Sequence, residues 1–444
     1  MEGETNDANA SVCQFRNVSI PNDDKSACLP VPDGENAFWI GWPAIVEHLQ
    51  RAITERGSSK PILVVECYPG VDAEQIFQEL QQRLNPALAL YAPSAFHAPT
   101  RIATLGRPYL DEAKSWRAGN HTLTLPEFFD AERLWHARRQ IEDLREGLVI
   151  VVGCGASLIA WGHVLVYADL TRAEARARLS CDDGANVGLK NHKLAPHEKL
   201  RIAAHVDWPV TDRWKRPLIT HWDFVLEIKT VDKPTLFDGE AVQRALQLAS
   251  KRPFCFASKA VAQNHMEESN NSNFHPASWP EESLQLSFGT MPLELPALDL
   301  LLAHPRELLG DAAFLRFGFH YPLPHWPRKL PVSPHQPLDA GDGWSEGRVV
   351  LSPPHDAIEL RRLQFTRGIA QDTEGHLLMF ELVDGPKLSV ESPSQAFAPL
   401  TFHNGQTFLV PASVGEFVLR PSGLSQNRPW VTLKAFTKTA RRAK

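Results

Sequence analysis

Chemistry is best sought first in the stretch "VVECYPGVDAEQIF" at residues 64–77. An apolar run, a Pro-Gly turn and an amphipathic run follow one another. That succession predicts strand, tight loop and helix, the frame in which backbone N–H groups can cradle a phosphate. A working nucleotide loop of the form G-x-x-x-x-G-K-[ST] needs two glycines for close approach. It also needs a lysine for charge and a hydroxyl for Mg²⁺. On that spacing Glu66, Val71, Asp72 and Ala73 stand where Gly, Gly, Lys and Ser/Thr belong. An aspartate at the lysine position repels phosphate, and the metal hydroxyl is missing. Two readings stay open. One is a remnant anion loop at Tyr68, Pro69 and Gly70 ahead of a helix N-terminus; the other is a tight turn in a folded scaffold.

Histidines form the second set. His320, His325, His335 and His355 fall in or beside the proline-rich stretch Pro322–His355, and His403 lies further on. Three or four imidazoles could hold Zn²⁺ tetrahedrally. Their spacing is irregular and the chain has 18 histidines, so surface or hydrogen-bonded histidines are the other reading. No Gln-x-His pair occurs in the stretch, where His335 precedes Gln336. His403, Glu416 and Arg420 could share a small pocket near the C-terminus, or be ordinary surface groups. The six cysteines (Cys13, Cys28, Cys67, Cys154, Cys181, Cys255) include no Cys-x-x-Cys pair, which predicts free thiols in a reducing compartment.

The elements around these residues read in two textures. Ile45, Val46, Leu49 and Ile53 recur at helical spacing before Gly57. Pro61–Glu66 reads as a buried strand. A helix follows from about Asp72, with Ile76, Phe77, Leu80 and Leu84 on one face. Ala131–Glu146 reads as a helix with Leu134, Trp135, Ile141 and Leu144 inward. Gly147–Gly153 and His163–Leu170 read as further strands, the latter leading into an arginine-rich helix with Arg172, Arg176 and Arg178. Continuous apolar strands alternating with amphipathic helices predict a doubly wound α/β sheet covered on both faces. Beyond Phe254 come strands at "LQLSF", "PLELP" and "ALDLLLA", then irregular proline-rich sequence to Pro354 that offers no strand. Evenly spaced short strands follow, with Asp384-Gly385 and Asn404-Gly405 as turns, as in an antiparallel sandwich or barrel. Met1 to about Asn36 is polar and aperiodic, and reads as a mobile arm.

The 444 residues suggest two or three domains. A hydrophobic content of 43% is enough for ordinary cores. A net charge of −6 gives no general attraction to nucleic acid or anionic membrane. No run of about 18 apolar residues predicts a membrane span, and no secretory leader is legible at the start. The expectation is a cytoplasmic protein.

Three stretches carry a resemblance. "ECYPGVDAEQI" (Glu66–Ile76), "LELPALDLLLAHPRELLGDAAFLRFG" (Leu293–Gly318) and Thr366–Gly423 resemble the long, two-part class I mannose-6-phosphate isomerases. The resemblance spans about Phe38–Lys434 apart from gaps. It implies a degenerate P-loop-kinase-like α/β domain followed by a smaller all-β cupin-like domain. The corresponding division is an arm at 1–36, the α/β domain at 37–253, and a partial β region with a proline-rich bridge at 254–355. A cupin-like domain at 356–438 and a basic tail at 439–444 complete it. The resemblance also implies an aldose–ketose isomerase whose Zn²⁺ is held by a Gln-x-His pair, a Glu and a distant His. In the family, the metal-bearing cupin lies where this chain has Pro322–His355, and a jelly roll needs on the order of 70 residues. "KAVAQNHMEES" stands where the family has Pro-Trp-Gly-Gly. No zinc ligand carries over, so neither a catalytic residue nor a cofactor is expected. Three functions remain open: a protein of sugar-phosphate metabolism related to these isomerases, a non-catalytic sugar-phosphate-binding or scaffold protein with a possible protein partner, and an isomerase with a rebuilt metal site.

Overall fold

The structure is a computed structural model that describes residues 28–110, 122–181, 184–228, 233–255, 257–258, 282–296, 336–349, 358–423 and 429–437. The first part runs β1 (Cys28–Pro30), β2 (Phe38–Ile40), α1 (Trp42–Glu55), β3 (Ile62–Cys67), α2 (Ala73–Leu84), β4 (Leu88–Tyr91) and α3 (Pro99–Gly106). It continues with α4 (Ala131–Asp143), β5 (Val149–Gly153), α5 (Ala156–Ile159), β6 (Val164–Asp169), α6 (Arg172–Ser180), α7 (Pro196–Ile202) and α8 (Trp208–Leu218). It ends with β7 (Phe224–Glu227), β8 (Thr235–Asp238) and α9 (Gly239–Ala249). A π-helical turn at Ala203–Asp207 joins α7 to α8.

Seven of these strands form one sheet in the order β2-β8-β7-β6-β3-β5-β4. β7, β6, β3, β5 and β4 are parallel. Because their side chains alternate, Leu63, Val65 and Cys67 enter one core and Val64 the other. Trp42, Ile45, Val46, Leu49 and Ile53 of α1, with Ile76, Leu80 and Leu84 of α2, cover the first face. Residues of α4, α6, α8 and α9 cover the second. The expected doubly wound sheet is corrected in one respect: it is mixed. β8 returns antiparallel to β7, and β2 pairs antiparallel with β8. Glu227 and Thr235 are too close in sequence for a parallel crossover, which needs about a dozen residues or more. Trp135 is a second correction, since it is 55% exposed rather than inward. The Arg139 guanidinium lies over its ring at 5.6 Å, so the indole is covered by a cation on the solvent side.

Short strands tie the α/β layer to the β-rich remainder of the chain. These are β9 (Phe254–Cys255), β10 (Ala257–Ser258), β11 (Glu282–Phe288) and β12 (Met291–Pro296). β11 pairs with β12 along one edge and with β1 and β10 along the other. The expectation of a mobile arm to Asn36 therefore fails at its end. Leu29 and Val31 are apolar residues in a polar run, and both are buried where β1 lies against β11. Residues 1–27 and the stretch "ALDLLLA" lie outside the described residues.

The remaining strands are β13 (Gln336–Gly341), β14 (Trp344–Arg348), β15 (Ile358–Phe365), β16 (Ile369–Asp372), β17 (Leu378–Asp384), β18 (Lys387–Glu391), β19 (Leu400–His403), β20 (Thr407–Val410), β21 (Glu416–Ser422) and β22 (Trp430–Thr437). They make a two-sheet antiparallel sandwich. One sheet runs β13-β14-β15-β22-β17-β20-β9 and the other β16-β21-β18-β19. A hairpin, β13–β14, thus stands within the stretch expected to hold no strand; the Asp342-Gly343 turn, with Gly343 at φ +79°, closes it. β9 leaves the α/β layer and becomes an edge of the sandwich by pairing with β20. The outer face of that sheet (Leu360, Met379, Leu409, Leu433, Ala435) shares one core with Val64, Val151 and Val225 of the α/β sheet. The inner face packs phenylalanines: Phe402 and Phe408 stack at 4.1 Å, and Phe380 and Phe408 at 5.2 Å.

Phe408→Ala removes a fully buried ring from that stack. It is expected to cost about 3–5 kcal/mol, read from the urea midpoint at unchanged slope. A loss below about 1 kcal/mol contradicts the assigned packing.

Candidate functional site

In an open parallel sheet, ligands bind outside the carboxyl ends of the strands, where successive connections leave in opposite directions. Here that point lies between β3 and β6. The chain leaves β3 toward β4 beyond β5, and leaves β6 toward β7 on the other side. The loop Tyr68–Val71 and the start of α6 flank it, so this is where Tyr68, Pro69 and Gly70 are placed. Asp72 caps α2 by accepting from Gln75 N at 3.0 Å, the role its residue type favours.

The chain's own side chains fill the crevice. Glu66, 2% exposed, accepts from Gly155 N at 2.5 Å, Ser157 N at 2.9 Å and Ser157 Oγ at 2.6 Å. The carboxylate thus takes the amides that open α5, where a phosphate-binding loop would present amides to a ligand. Gly155 stands at φ +79°, and a Cβ there would meet Phe129 Cζ at 2.5 Å, so only glycine lets this amide reach Glu66. Trp214 Nε1 donates to Ser157 Oγ at 3.0 Å. Burial pushes the Glu66 carboxyl above its ordinary pKa, against the opposing hydrogen bonds from Ser157 and Gly155.

Beside it lies a second buried cluster. Tyr68 OH donates to Asp212 Oδ1 at 2.8 Å, and Arg172 donates to Asp212 Oδ2. Lys215 Nζ binds Asp169 Oδ2 at 2.6 Å, with both side chains 3% exposed or less. The rings of Tyr167, Tyr68 and Trp222 stand 4.9, 5.1 and 5.5 Å from the same ammonium. Gly70, at φ +98°, lies against α6, and a Cβ there would meet Ala175 Cα at 3.3 Å. Arg178 donates to Gly70 O at 3.3 Å and also to Ile228 O. The Tyr68–Gly70 loop is therefore packed inward against α6 and α8. Asp169, Asp212, Lys215 and Ser157 had no sequence motif to announce them. The one signal was "DRWK" (Asp212–Lys215), which sets an acid and a base on one turn of an otherwise apolar helix face.

A third cluster sits at the π-helical turn. Asp207 accepts from Asn186 Nδ2 at 2.6 Å and Val187 N at 3.3 Å. Lys199, 1% exposed, donates to Cys181 O at 2.8 Å and Gly184 O at 3.0 Å. Burial pushes the Asp207 carboxyl up to about 6.

The sandwich candidates do not converge. Arg420 donates to Glu391 at 3.0 and 3.1 Å on the outward face of β21. Glu416 is exposed at the start of the same strand, and His403 ends β19 opposite Lys387. His320, His325, His335 and His355 lie outside the described residues. Among the described residues, no three His, Cys, Asp or Glu side chains gather as a metal site would require. Cys67, Cys154 and Cys181 are free thiols, the first two buried. No helix among the described residues is long and apolar enough to cross a membrane.

Two measurements check these clusters. Lys215→Met leaves Asp169 buried without its cation and is expected to cost about 3–5 kcal/mol, whereas K215M/D169N recovers part of the loss. Additive single effects in that cycle would mean the pair is not coupled. For Asp207, a folded pKa of about 6 lies above the ordinary 3.8, so the folded state holds this proton more tightly than the unfolded chain. Its contribution is fully present below about pH 4 and is lost as pH rises through 6, on the order of 3 kcal/mol. Asp207→Asn should flatten the pH dependence of the urea midpoint between pH 4 and 7. Parallel wild-type and variant profiles would refute the assignment.

Residues 41–251 match the model of a domain of unknown function, DUF8485. A search of curated proteins returns no match. Among solved structures, the chain is similar to a mannosephosphate isomerase candidate from Archaeoglobus fulgidus, at 17% identity and TM-score 0.16, over 19% of this chain and 24% of that one. It is similar to ectoine synthase from P. lautus at 12% identity and TM-score 0.19, over 24% and 71% of the two chains. A cupin domain from Bordetella pertussis Tohama I overlaps at 15% identity and TM-score 0.17, over 22% and 94%. The chain spans about a quarter of the length of the first of these structures. Overlaps this small carry no argument about activity.

Proposed function

We propose that this chain is a cytoplasmic protein of sugar-phosphate metabolism, related to the long mannose-6-phosphate isomerases, that acts by binding rather than by phosphoryl transfer or isomerisation. The kinship is supported by the motifs at Glu66–Gly70, Leu293–Gly318 and Thr366–Gly423. The α/β layer is read as a degenerate kinase-like domain and the sandwich as a cupin-like domain.

One observation carries the loss of phosphoryl transfer. At the point where a nucleotide's phosphates would meet backbone amides, the Glu66 carboxylate already holds Gly155 N and Ser157 N. A phosphate entering there would meet a buried carboxyl group and find its donors taken. Removing Glu66 would not recreate the site, because neither a lysine nor a metal-binding hydroxyl follows at Asp72 and Ala73.

The test is a pair of assays on the full chain. With added Zn²⁺, mannose 6-phosphate is expected to yield no fructose 6-phosphate. Saturating mannose 6-phosphate, near 100 times its Kd, is expected to raise stability by roughly 2.7 kcal/mol. Turnover that chelator abolishes overturns the non-catalytic part, and a flat melting profile across sugar phosphates overturns the binding part.

A further inference from the structure

The inner face of the sandwich is apolar at one end and charged at the other. Along β15, Leu363 and Phe365 point into the phenylalanine core. By strand alternation, Glu359 and Arg361 share their face. Along β22, Trp430 and Phe436 mark the same inner face, and Thr432 and Lys434 lie between them on it. Trp344 does so for β14, which places Glu346 and Arg348 there too.

These residues meet. Lys434 Nζ donates to Glu346 Oε1 at 2.8 Å and to Gln371 Oε1, from the opposite sheet, at 2.9 Å. Arg361 donates to Glu359 Oε1 at 2.7 Å and Glu346 Oε1 at 3.2 Å, and its guanidinium lies 4.8 Å over the Phe436 ring. Arg348 reaches Glu359 only at 3.4 and 3.5 Å, and its side chain is 44% exposed. Three cations thus face two carboxylates inside the mouth, with the exposed Glu374 beyond Lys434. Thr432 is 0% exposed, and its Oγ1 has no hydrogen-bond partner among the described residues.

A buried hydroxyl without a partner costs about 1–3 kcal/mol. Burial also holds the Lys434 ammonium below the ordinary lysine pKa, opposed by Glu346. Both groups are donors on one strand, two residues apart, with a loosely held guanidinium at the rim. The register sets Arg348, Arg361 and Lys434 in one row, with Thr432 one row deeper between Leu363 and Leu382. An acceptor-rich anion entering at the rim would meet the Arg348 guanidinium and the Lys434 ammonium first and the hydroxyl beneath them, while Glu359 keeps its closer bond to Arg361. In the crevice of the α/β sheet Trp222 Nε1 is also buried without a partner among the described residues, but it is a single indole N–H beside an ion pair whose two charges satisfy each other.

We propose that the charged mouth of the sandwich, formed by Arg348, Arg361, Thr432 and Lys434, is a binding site for a small oxyanion of the phosphate or phosphomonoester class. This rests on the binding role proposed for the chain and gives it a location. The Phe436 ring beside Arg361 provides an apolar wall for the body of a phosphorylated ligand.

The test uses the full chain and titration calorimetry with inorganic phosphate, mannose 6-phosphate and unphosphorylated mannose. Phosphate and mannose 6-phosphate are expected to bind, and mannose is not. Arg348→Gln, at an exposed rim position, and Thr432→Val, nearly isosteric, are each expected to weaken anion binding about tenfold. Thr432→Val should leave the melting temperature of the free protein unchanged or raise it, since no hydrogen bond is lost; a drop would show that the hydroxyl is already satisfied and would overturn its role. Mannose 6-phosphate binding that neither variant alters overturns this site while the binding function stands. Phosphate binding that both variants weaken, without any affinity for sugar phosphates, keeps the site and overturns the sugar-phosphate reading. No binding of either anion overturns both.

Discussion

The buried Lys215–Asp169 pair is the constraint around which the α/β layer is arranged. An ammonium and a carboxylate at 2.6 Å are tolerable inside a protein only when geometry and surroundings compensate their lost hydration. The compensation comes from three directions. Asp169 also accepts from Leu170 N at 3.0 Å, which fixes the end of β6. The faces of Tyr68, Tyr167 and Trp222 surround Lys215, and their negative quadrupoles favour a cation. Tyr68 in turn is held by Asp212, which is held by Arg172. One helix, α8, therefore pins the ends of β3 and β6 and the start of α6 together. The crevice that the strand order creates is closed by the interactions that stabilise it.

This closure explains why the Tyr68–Gly70 loop has so little freedom. Glycine at position 70 serves the approach of α6 rather than of a ligand, since Ala175 lies where a side chain would go. Glu66 cannot be exchanged for a smaller residue without taking the acceptor from two buried amides and from the Ser157 hydroxyl, which would keep only the bond it accepts from Trp214. Glu66 and Asp72, two positions at which the stretch differs from a nucleotide-binding pattern, are held by buried amides and by a helix cap, so the fold itself requires the residues found there.

The sequence made the long elements legible and hid the pairings. β3, β5 and β6 open on runs of Val, Leu and Ile, and α1 and α2 carry clean helical spacing. β4, β7 and β8 are four-residue strands, too short for their periodicity to stand out. Trp135 obeyed helical spacing yet faces solvent, because a large ring under an arginine can be covered without entering a core. Asp169 and Lys215 are 46 residues apart, and no local pattern brings them together. In β15, "ELRRLQF" alternates correctly, but a face bearing Glu359, Arg361, Leu363 and Phe365 is half charged and half apolar. Hydropathy cannot tell that this whole face looks inward. That requires knowing that the opposite face, through Leu360, is taken up by the core shared with the α/β layer.

That sharing also bears on where a ligand could act. The sandwich is not an appendage: β9 carries the chain out of the α/β layer directly into the sandwich edge, and Ser413 Oγ donates to Ser250 O at 2.7 Å across the junction. The outer face of its larger sheet is thus occupied along β15, β22, β17 and β20, and its inner face is filled by stacked phenylalanines except at the mouth. Polar groups crowd both the sheet crevice and this mouth, but with opposite consequences. In the crevice each named carboxylate has a close donor and the charges are locked by aromatic rings. At the mouth a guanidinium is loosely engaged, an ammonium is incompletely compensated and a hydroxyl is unpaired. Buried donors without full acceptors are unfavourable in the free protein and become favourable only when something supplies the acceptors. By that reasoning the proposed recognition falls to the mouth of the β-sandwich rather than to the crevice of the sheet.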